Sequence, residues 1–272
     1  MKKSALRGKT AVITGAAGGI GTAVADLFHS LGVMLVLADI NKDSAEKAAG
    51  KYGDSALAVQ CDVTEKDQVK TLFRKAKKRF GNIDILVNNA GIIRPGPFES
   101  SRYPDIDREV AVNLAGAMYC TREALPYMIK SGGGAIVTVS SLAGIIPETF
   151  SAVYSATKFG LRGFSLTLNV ELKNKGIHAA AVFPDSVDTP MLKYEAAHNG
   201  SPLTFLSDPQ PPSAVAKAVL KAILKKKIEI YVPWYQGPVC KLASFLPGII
   251  PVVWPFLEKS GEKKKHEFDK KK

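Results

Sequence analysis

Cysteine is scarce in this 272-residue chain: Cys61, Cys120 and Cys240 are odd in number and far apart. No disulfide framework or cysteine zinc site can be assembled from them, so they read as buried thiols of a reducing, cytoplasmic compartment. His29, His178, His198 and His266 are scattered, without the paired spacing of a metal site, and no metal is expected. Met1–Lys9 lacks the apolar core of a secretion signal. A run fit to span a membrane is also missing. Leu242–Leu257 goes sixteen residues without a charge, but a spanning helix needs about 20, and Pro247, Pro251 and Pro255 are expected to break it repeatedly. What is present is ordinary: 46% hydrophobic and 23% charged residues suit a globular fold and exclude a mainly disordered or fibrous chain. The net charge of +12 is partly local, since residues 259–272 hold seven Lys against three acidic residues. No aromatic interleaving or basic groove accompanies that tail, so nucleic-acid binding is not expected.

Apolar runs alternate with helix-period segments. The runs expected as strands are Thr10–Thr14, Val33–Asp39, Ala56–Cys61, Ile83–Val87, Ala135–Ser140, Ile177–Phe183 and Ile228–Val232. Amphipathic stretches near 19–31, 42–52, 65–80, 104–130, 152–175 and 213–226 separate them. Continuous apolar strands joined by helices imply an α/β fold, a doubly wound parallel seven-stranded sheet covered on both faces. One Rossmann-type domain over 1–232 is expected, then a hydrophobic Pro/aromatic extension (233–258) and a Lys-rich tail (259–272) expected to be mobile. In such sheets ligands sit at the carboxyl ends of the strands.

The first strand ends in Gly15-Ala16-Ala17-Gly18-Gly19-Ile20-Gly21 and runs into a helix. Glycines allow a tight turn and bring backbone N–H groups to a pyrophosphate, and the helix N-terminus adds partial positive charge. Asp39 closes the second strand, where a carboxylate accepts bonds from the adenosine ribose hydroxyls and repels a 2′-phosphate. No Arg or Lys lies in the glycine loop, so NAD is favoured over NADP. Asp62, after the third strand, is placed to bond the adenine amino group, or else serves as a helix-capping residue beside Val63.

Tyr154 and Lys158 are four apart on one predicted helix face. Ser141 lies thirteen residues upstream of Tyr154, Asn88-Asn89-Ala90-Gly91 ends the fourth strand, and Asn113 sits mid-helix. Together these motifs resemble the short-chain dehydrogenase/reductase family over about residues 6–232. The resemblance implies a seven-stranded enzyme that passes hydride between nicotinamide and a substrate carbon. Tyr154 would be the general acid/base and Lys158 its electrostatic partner and ribose holder. Ser141 would bind the substrate oxygen, and Asn113 would hold a relay water. It implies cofactor contacts from Gly15, Gly18, Gly19, Ile20, Gly21, Asp39, Asp62, Val63, Asn89, Ala90, Gly91, Tyr154, Lys158, Pro184, Val187 and Thr189. One residue departs from the pattern: Asp185 stands where the family usually has Gly. If the backbone there needs positive φ, Asp tolerates it better than most residues; near the cofactor, its charge would alter affinity or substrate polarity.

Residues 190–212 form the expected substrate lid, with a short helix, Met191–His198, that brings Met191 and Tyr194 to the substrate. The lid's apolar side chains and lack of an Arg cluster favour a hydrophobic alcohol or ketone, steroid-, lipid- or retinoid-like. A 3-oxoacyl reductase of the same family is the second reading; a non-catalytic NAD sensor or membrane scaffold is the third. The family resemblance also implies pairing through the long helices 104–130 and 152–175, and so a homodimer or homotetramer. The apolar run, Trp234, Tyr235, Trp254 and the basic tail together suit peripheral membrane contact through 239–272. The competing expectation is that 239–257 packs on a dimer partner or covers the substrate entrance.

Overall fold

Every residue of the first strand, β1 (Thr10–Thr14), is buried, as befits a strand covered on both faces. The structure, a computed structural model, describes residues 2–270. The further strands are β2 (Met34–Asp39), β3 (Ala56–Gln60), β4 (Ile85–Asn88), β5 (Gly134–Val139), β6 (Ile177–Pro184) and β7 (Glu229–Val232). All pair in parallel, in the order β3-β2-β1-β4-β5-β6-β7. Val12 of β1 stands between Val36 and Leu86, which fixes the register at the point where strand order reverses. There the crossovers leave toward opposite sides and open a crevice at the strands' carboxyl ends.

Helices cover both faces. On one, Ile13, Leu35, Val87, Val137 and Val182 meet Val24 and Phe28 of α1 (Gly19–Ser30) and Val215 and Val219 of α8 (Pro212–Lys225). This layer also takes Ala48 and Ala49 of α2 (Lys42–Gly50). On the other, Val12, Val36, Leu86 and Ile136 meet Leu72 and Phe73 of α3 (Lys66–Phe80), and residues of α5 (Gly116–Lys130) and α6 (Ala152–Glu171). Each large side chain so buried contributes about 1.5–3 kcal/mol.

The expected helix 104–130 is α4 (Tyr103–Val110) and α5 joined by one π turn, Ala111–Ala115, with Asn113 inside it. The expected helix 152–175 ends as an α-helix at Glu171 and closes through a 3-10 turn on Gly176, whose φ is +69°. The lid carries α7 (Pro190–Ala197) and a 3-10 turn, Pro202–Phe205.

Beyond β7 the chain is mostly helical: α9 (Gln236–Ser244), a 3-10 turn at Pro247–Ile249, then α10 (Ile250–Lys270), which runs through both the apolar stretch and the Lys-rich segment. The prolines break the chain less than expected. Pro247 and Pro251 open a turn and a helix, where a missing N–H costs nothing, and only Pro255 lies inside α10. Lys271 and Lys272 lie outside the described residues. Among the described residues no single helix is long and apolar enough to cross a membrane; α9 and α10, bent by 96°, pass that test only as a broken pair.

Candidate active site

The glycine turn is built for close approach. Gly15 has φ +60°, and a Cβ there would fall 2.9 Å from Ala90 Cα. A Cβ on Gly21 would fall 2.4 Å from the Gly15 carbonyl oxygen, so α1 can start this near the turn only with glycine at both places. The result is open backbone at a helix N-terminus, which fits a pyrophosphate. Asn89 staples the turn to β4: its Nδ2 donates to the Thr14 and Gly15 carbonyls, both at 3.0 Å. Thr14 Oγ1 in return accepts the Asn89 and Ala90 N–H groups at 3.0 and 3.1 Å.

From this turn one cleft of about 360 Å³ runs across the carboxyl ends of the strands. Its nucleotide end is lined by Gly15, Gly18, Gly19, Ile20, Asp39, Asp62, Val63, Asn89, Ala90 and Gly91. Gly21 lies beneath the turn rather than on the cleft wall. Asp39 Oδ2 accepts from Ala17 N and Oδ1 from Asn41 N, both at 3.1 Å, which fixes the carboxylate at the end of β2. Asp62 is less free than the sequence implies. Its Oδ2 accepts from Arg108 at 2.9 Å, and Oδ1 from the Thr64 backbone and hydroxyl at 3.0 and 2.8 Å. Burial acts to raise this carboxyl, but the Thr64 and Arg108 bonds outweigh it and hold Asp62 below the usual range.

Ser141, Tyr154 and Lys158 converge on the middle of the cleft, with Pro184, Val187, Thr189 and Met191 opposite. Ser141 caps a short 3-10 turn, its Oγ accepting from Ala143 N at 3.1 Å, and its hydroxyl is near enough to the Tyr154 phenol to lower that group's pKa against the stronger effect of burial. Ser140, its neighbour, is structural: its Oγ donates to the Lys158 carbonyl at 3.0 Å. Lys158 Nζ donates to the Val139 carbonyl at 3.1 Å and lies 5.2 Å from the Tyr154 ring centroid. Burial lowers the Lys158 ammonium to about 8, opposed by the charge of Glu109. Burial also raises the Tyr154 phenol, helped by Glu148 and Glu195, while the Ser141 hydroxyl works against it. The phenol is thus held protonated by its protein surroundings.

Asn113 is fully buried and sits in the π turn. Its Oδ1 accepts from Ile92 N at 2.8 Å, and its Nδ2 donates to Ile92 O at 2.9 Å and to Thr157 Oγ1 at 3.2 Å. Both amide hydrogens are therefore spent on the Gly91–Ile92 loop and α6. The side chain clamps the floor beside Lys158, and only a lone pair on Oδ1 is left for a water.

One further expectation is corrected and one alternative is removed. Tyr194 does not reach the cleft: its ring stacks on His198 at 4.0 Å and lies 5.8 Å from the Arg94 guanidinium. The cleft is lined instead by the next residue, Glu195, with Met191 and Leu192. Asp185 has no positive φ and needs no special backbone. It faces the cleft, and its Oδ2 accepts from Ser207 Oγ and, at 2.7 Å, from Gln236 Nε2. It joins the lid to α9.

The sequence reading missed the carboxylates of the substrate end. Glu195 is 6% exposed, accepts from Thr204 Oγ1 at 2.7 Å, and is pushed up to about 7 by burial. Glu109, 1% exposed behind Lys158, accepts from Arg94 N at 3.2 Å and is likewise raised to about 7. Glu148 lines the cleft and is raised well above the ordinary carboxylate value by burial and by Glu195 and Asp185. The available signal was the phase of α7, in which Met191, Leu192 and Glu195 share a face. Among the described residues no cluster of His, Cys, Asp and Glu could hold a metal ion.

Residues 9–200 match the family described as short chain dehydrogenase. An uncharacterized oxidoreductase of Staphylococcus aureus is 35% identical over 223 residues, covering 82% of this chain and 94% of that protein. A 3-oxoacyl-[acyl-carrier-protein] reductase of Thermotoga maritima is 39% identical over 193 residues, covering 68% of this chain and 77% of that one. Among solved structures, the 3-ketoacyl-(acyl-carrier-protein) reductase of Brucella melitensis complexed with NADH matches with a TM-score of 0.74 at 32% identity, covering 80% and 91% of the two chains.

Proposed function

The chain belongs to the short-chain dehydrogenase family, and from that premise we propose an oxidoreductase that interconverts a hydrophobic secondary alcohol and its ketone, using NAD in preference to NADP. The observation that carries this reading is the meeting of Ser141, Tyr154 and Lys158 on the wall of a cleft whose far end is the glycine turn and Asp39. A nicotinamide bound there supplies the hydride donor or acceptor. Tyr154 hands its phenolic proton to the substrate oxygen during reduction and takes it back during oxidation. Ser141 hydrogen-bonds the same oxygen and steadies its developing charge. Lys158 supplies positive charge beside the phenol. Asn113 acts on Lys158 through the loop it clamps. Asp39 supports NAD because its carboxylate would face a 2′-phosphate with no base in the glycine loop to compensate.

A protonated Tyr154 is the state that donates its proton when a ketone is reduced. A second reading, reduction of a 3-oxoacyl chain, draws support from the names of the Thermotoga and Brucella relatives. Asp39 does not weigh against it, since the Brucella protein of that name was solved with NADH. For assembly we favour a homodimer or homotetramer, because Phe159, Leu166 and Val170 of α6 expose apolar surface along the family's pairing helices. Peripheral contact with a membrane through 239–270 belongs to the same reading.

The test is to follow reduced nicotinamide by absorbance with NADH and NADPH, supplying hydrophobic ketones and a 3-oxoacyl thioester, alongside a Tyr154→Phe variant. NADH-dependent ketone reduction lost in the variant supports the first reading. Faster turnover of the thioester selects the second. Tight NADH binding without turnover of any carbonyl removes both.

A further inference from the structure

The outer surface of the extension is the feature that the oxidoreductase reading leaves unused. Trp234, Val239, Leu242, Phe245, Val252 and Phe256 are exposed, Phe245 and Phe256 to 78% and 76%. Isolated exposed apolar side chains are ordinary, whereas a run of them confined to one segment marks an interaction surface. This run covers α9, the bend, and the first turns of α10, and exposed Lys259 and Lys263 follow on the same helix. Aromatic and aliphatic side chains bordered by ammonium groups complement the interface of an anionic bilayer.

Between that segment and the 147–149 loop lies a second, open cavity of about 350 Å³. Ile250, Pro251, Trp254 and Pro255 line it from α10, and residues 147–149 line it from the loop before α6. Glu148 lines this cavity and the catalytic cleft alike, so the two spaces adjoin at one side chain. Glu258 brings a buried carboxylate oxygen without a hydrogen-bond partner to the same space.

The wall is fastened unevenly. Toward its C-terminus α10 is held on the lid: a Cβ on Gly261 would fall 2.1 Å from the Pro202 carbonyl oxygen, and Lys264 and Lys265 donate to the Leu206 and Gly200 carbonyls. Toward its N-terminus, a hydrogen bond runs across the cavity from Trp254 Nε1 to the Pro147 carbonyl at 3.0 Å.

We propose that this second cavity is the entry passage for the substrate: a hydrophobic alcohol or ketone dissolved in an anionic bilayer passes beneath the first turns of α10 to the Tyr154 chamber. The inference rests on the oxidoreductase reading and deepens it. The apolar face docks the protein, the Trp254 end of α10 yields, and Glu148 stands at the junction.

The experiment uses the full chain, NADH, and vesicles of phosphatidylcholine mixed with phosphatidylserine. One ketone is long-chained and carried in the vesicles; the other is short and water-soluble. Phe245→Glu combined with Phe256→Glu is expected to abolish flotation with the vesicles. It should lower kcat/KM for the vesicle-borne ketone by roughly tenfold or more while sparing the soluble one. Ile250→Trp, which narrows the cavity, is expected to keep flotation and soluble turnover yet lower kcat/KM for the vesicle-borne ketone by roughly fivefold or more. Preserved soluble turnover shows that each variant folds. An Ile250→Trp variant equal to the parent on both ketones overturns the passage. Absence of flotation by the parent, with a dimer that the paired Glu substitutions dissociate, overturns the bilayer as occupant in favour of a second copy. A parent that floats but reduces neither ketone removes the underlying oxidoreductase reading instead, and the passage with it.

Discussion

Asp62 and Glu195 line one cleft and carry the same functional group, yet they are held in opposite states. At the nucleotide end Asp62 is bonded by Arg108 and Thr64, which keep it ionised against the cost of burial. At the substrate end Glu195 is buried with only a neutral hydroxyl, Thr204, on its Oε1, and burial raises it to about 7. Glu109 and Glu148 follow Glu195, not Asp62. The difference lies in the partners supplied by the fold: a charged donor offsets desolvation, whereas a hydroxyl does so only in part. One end of the cleft is therefore fixed in charge. At the other, burial raises Glu109 and Glu195 to about 7 and Glu148 well above its ordinary value, around the residue that must move a proton.

The largest effect expected at the substrate end is chemical. Tyr154→Phe removes the transferable proton and should lower kcat by about 10²–10⁴-fold, with NADH affinity, followed by fluorescence, little changed. Next is the charge contrast itself. Glu195 is raised from 4.5 to about 7 on folding. Its stabilising contribution is therefore complete below the unfolded value and lost as pH climbs through about 7. Glu195→Gln should flatten that decline. Thermal melts should show the variant gaining on the order of 3 kcal/mol over the parent above neutrality and nothing in acid. At the nucleotide end, Gly21→Ala drives a methyl into the Gly15 carbonyl. Overpacking of about 1–3 kcal/mol should weaken NADH binding by roughly five- to 150-fold, measured by titration, without moving the pH profile. The smallest effect is expected from Asp185→Asn, which keeps the shape but weakens two charge-assisted bonds. A loss of about 1–2 kcal/mol in unfolding free energy, with faster proteolysis within 199–212, would place the change in the lid.

The nucleotide end was legible because its parts are contiguous. Gly15 through Gly21 and Asp39 sit within one β-α-β unit, and their chemistry is backbone geometry that glycine spacing announces. The seven strands were legible for a similar reason, since burial on both faces writes an unbroken apolar run. The substrate end comes from positions 148, 185, 195 and 204, with Glu109 buried behind Lys158, and these meet only after the sheet has formed. A glutamate in a helix reads as solvated, and nothing in its neighbours announces that Glu109 is buried behind Lys158. Tyr194 is apolar enough to read as a substrate contact, but the phase of a short helix is fixed by how it packs, and that turns Glu195 inward. Asp185 looked like a backbone question and proved to be a connector. In the extension, prolines were read as breaks although most stand where helices begin.

That connector has a thermodynamic consequence. Asp185 Oδ2 serves Ser207 of the lid and Gln236 of the extension at once. Gln236 Nε2 also donates to Ser207 Oγ at 3.2 Å, so each segment supplies a partner to the other and their movements are coupled rather than independent. Hydrogen bonds to a charged group contribute about 1.5–3 kcal/mol each, equivalent to roughly ten- to 150-fold in population. By reciprocity, whatever restrains α9 from outside restrains the Ser207 segment of the lid, and a ligand that orders the lid stiffens α9 by the same free energy.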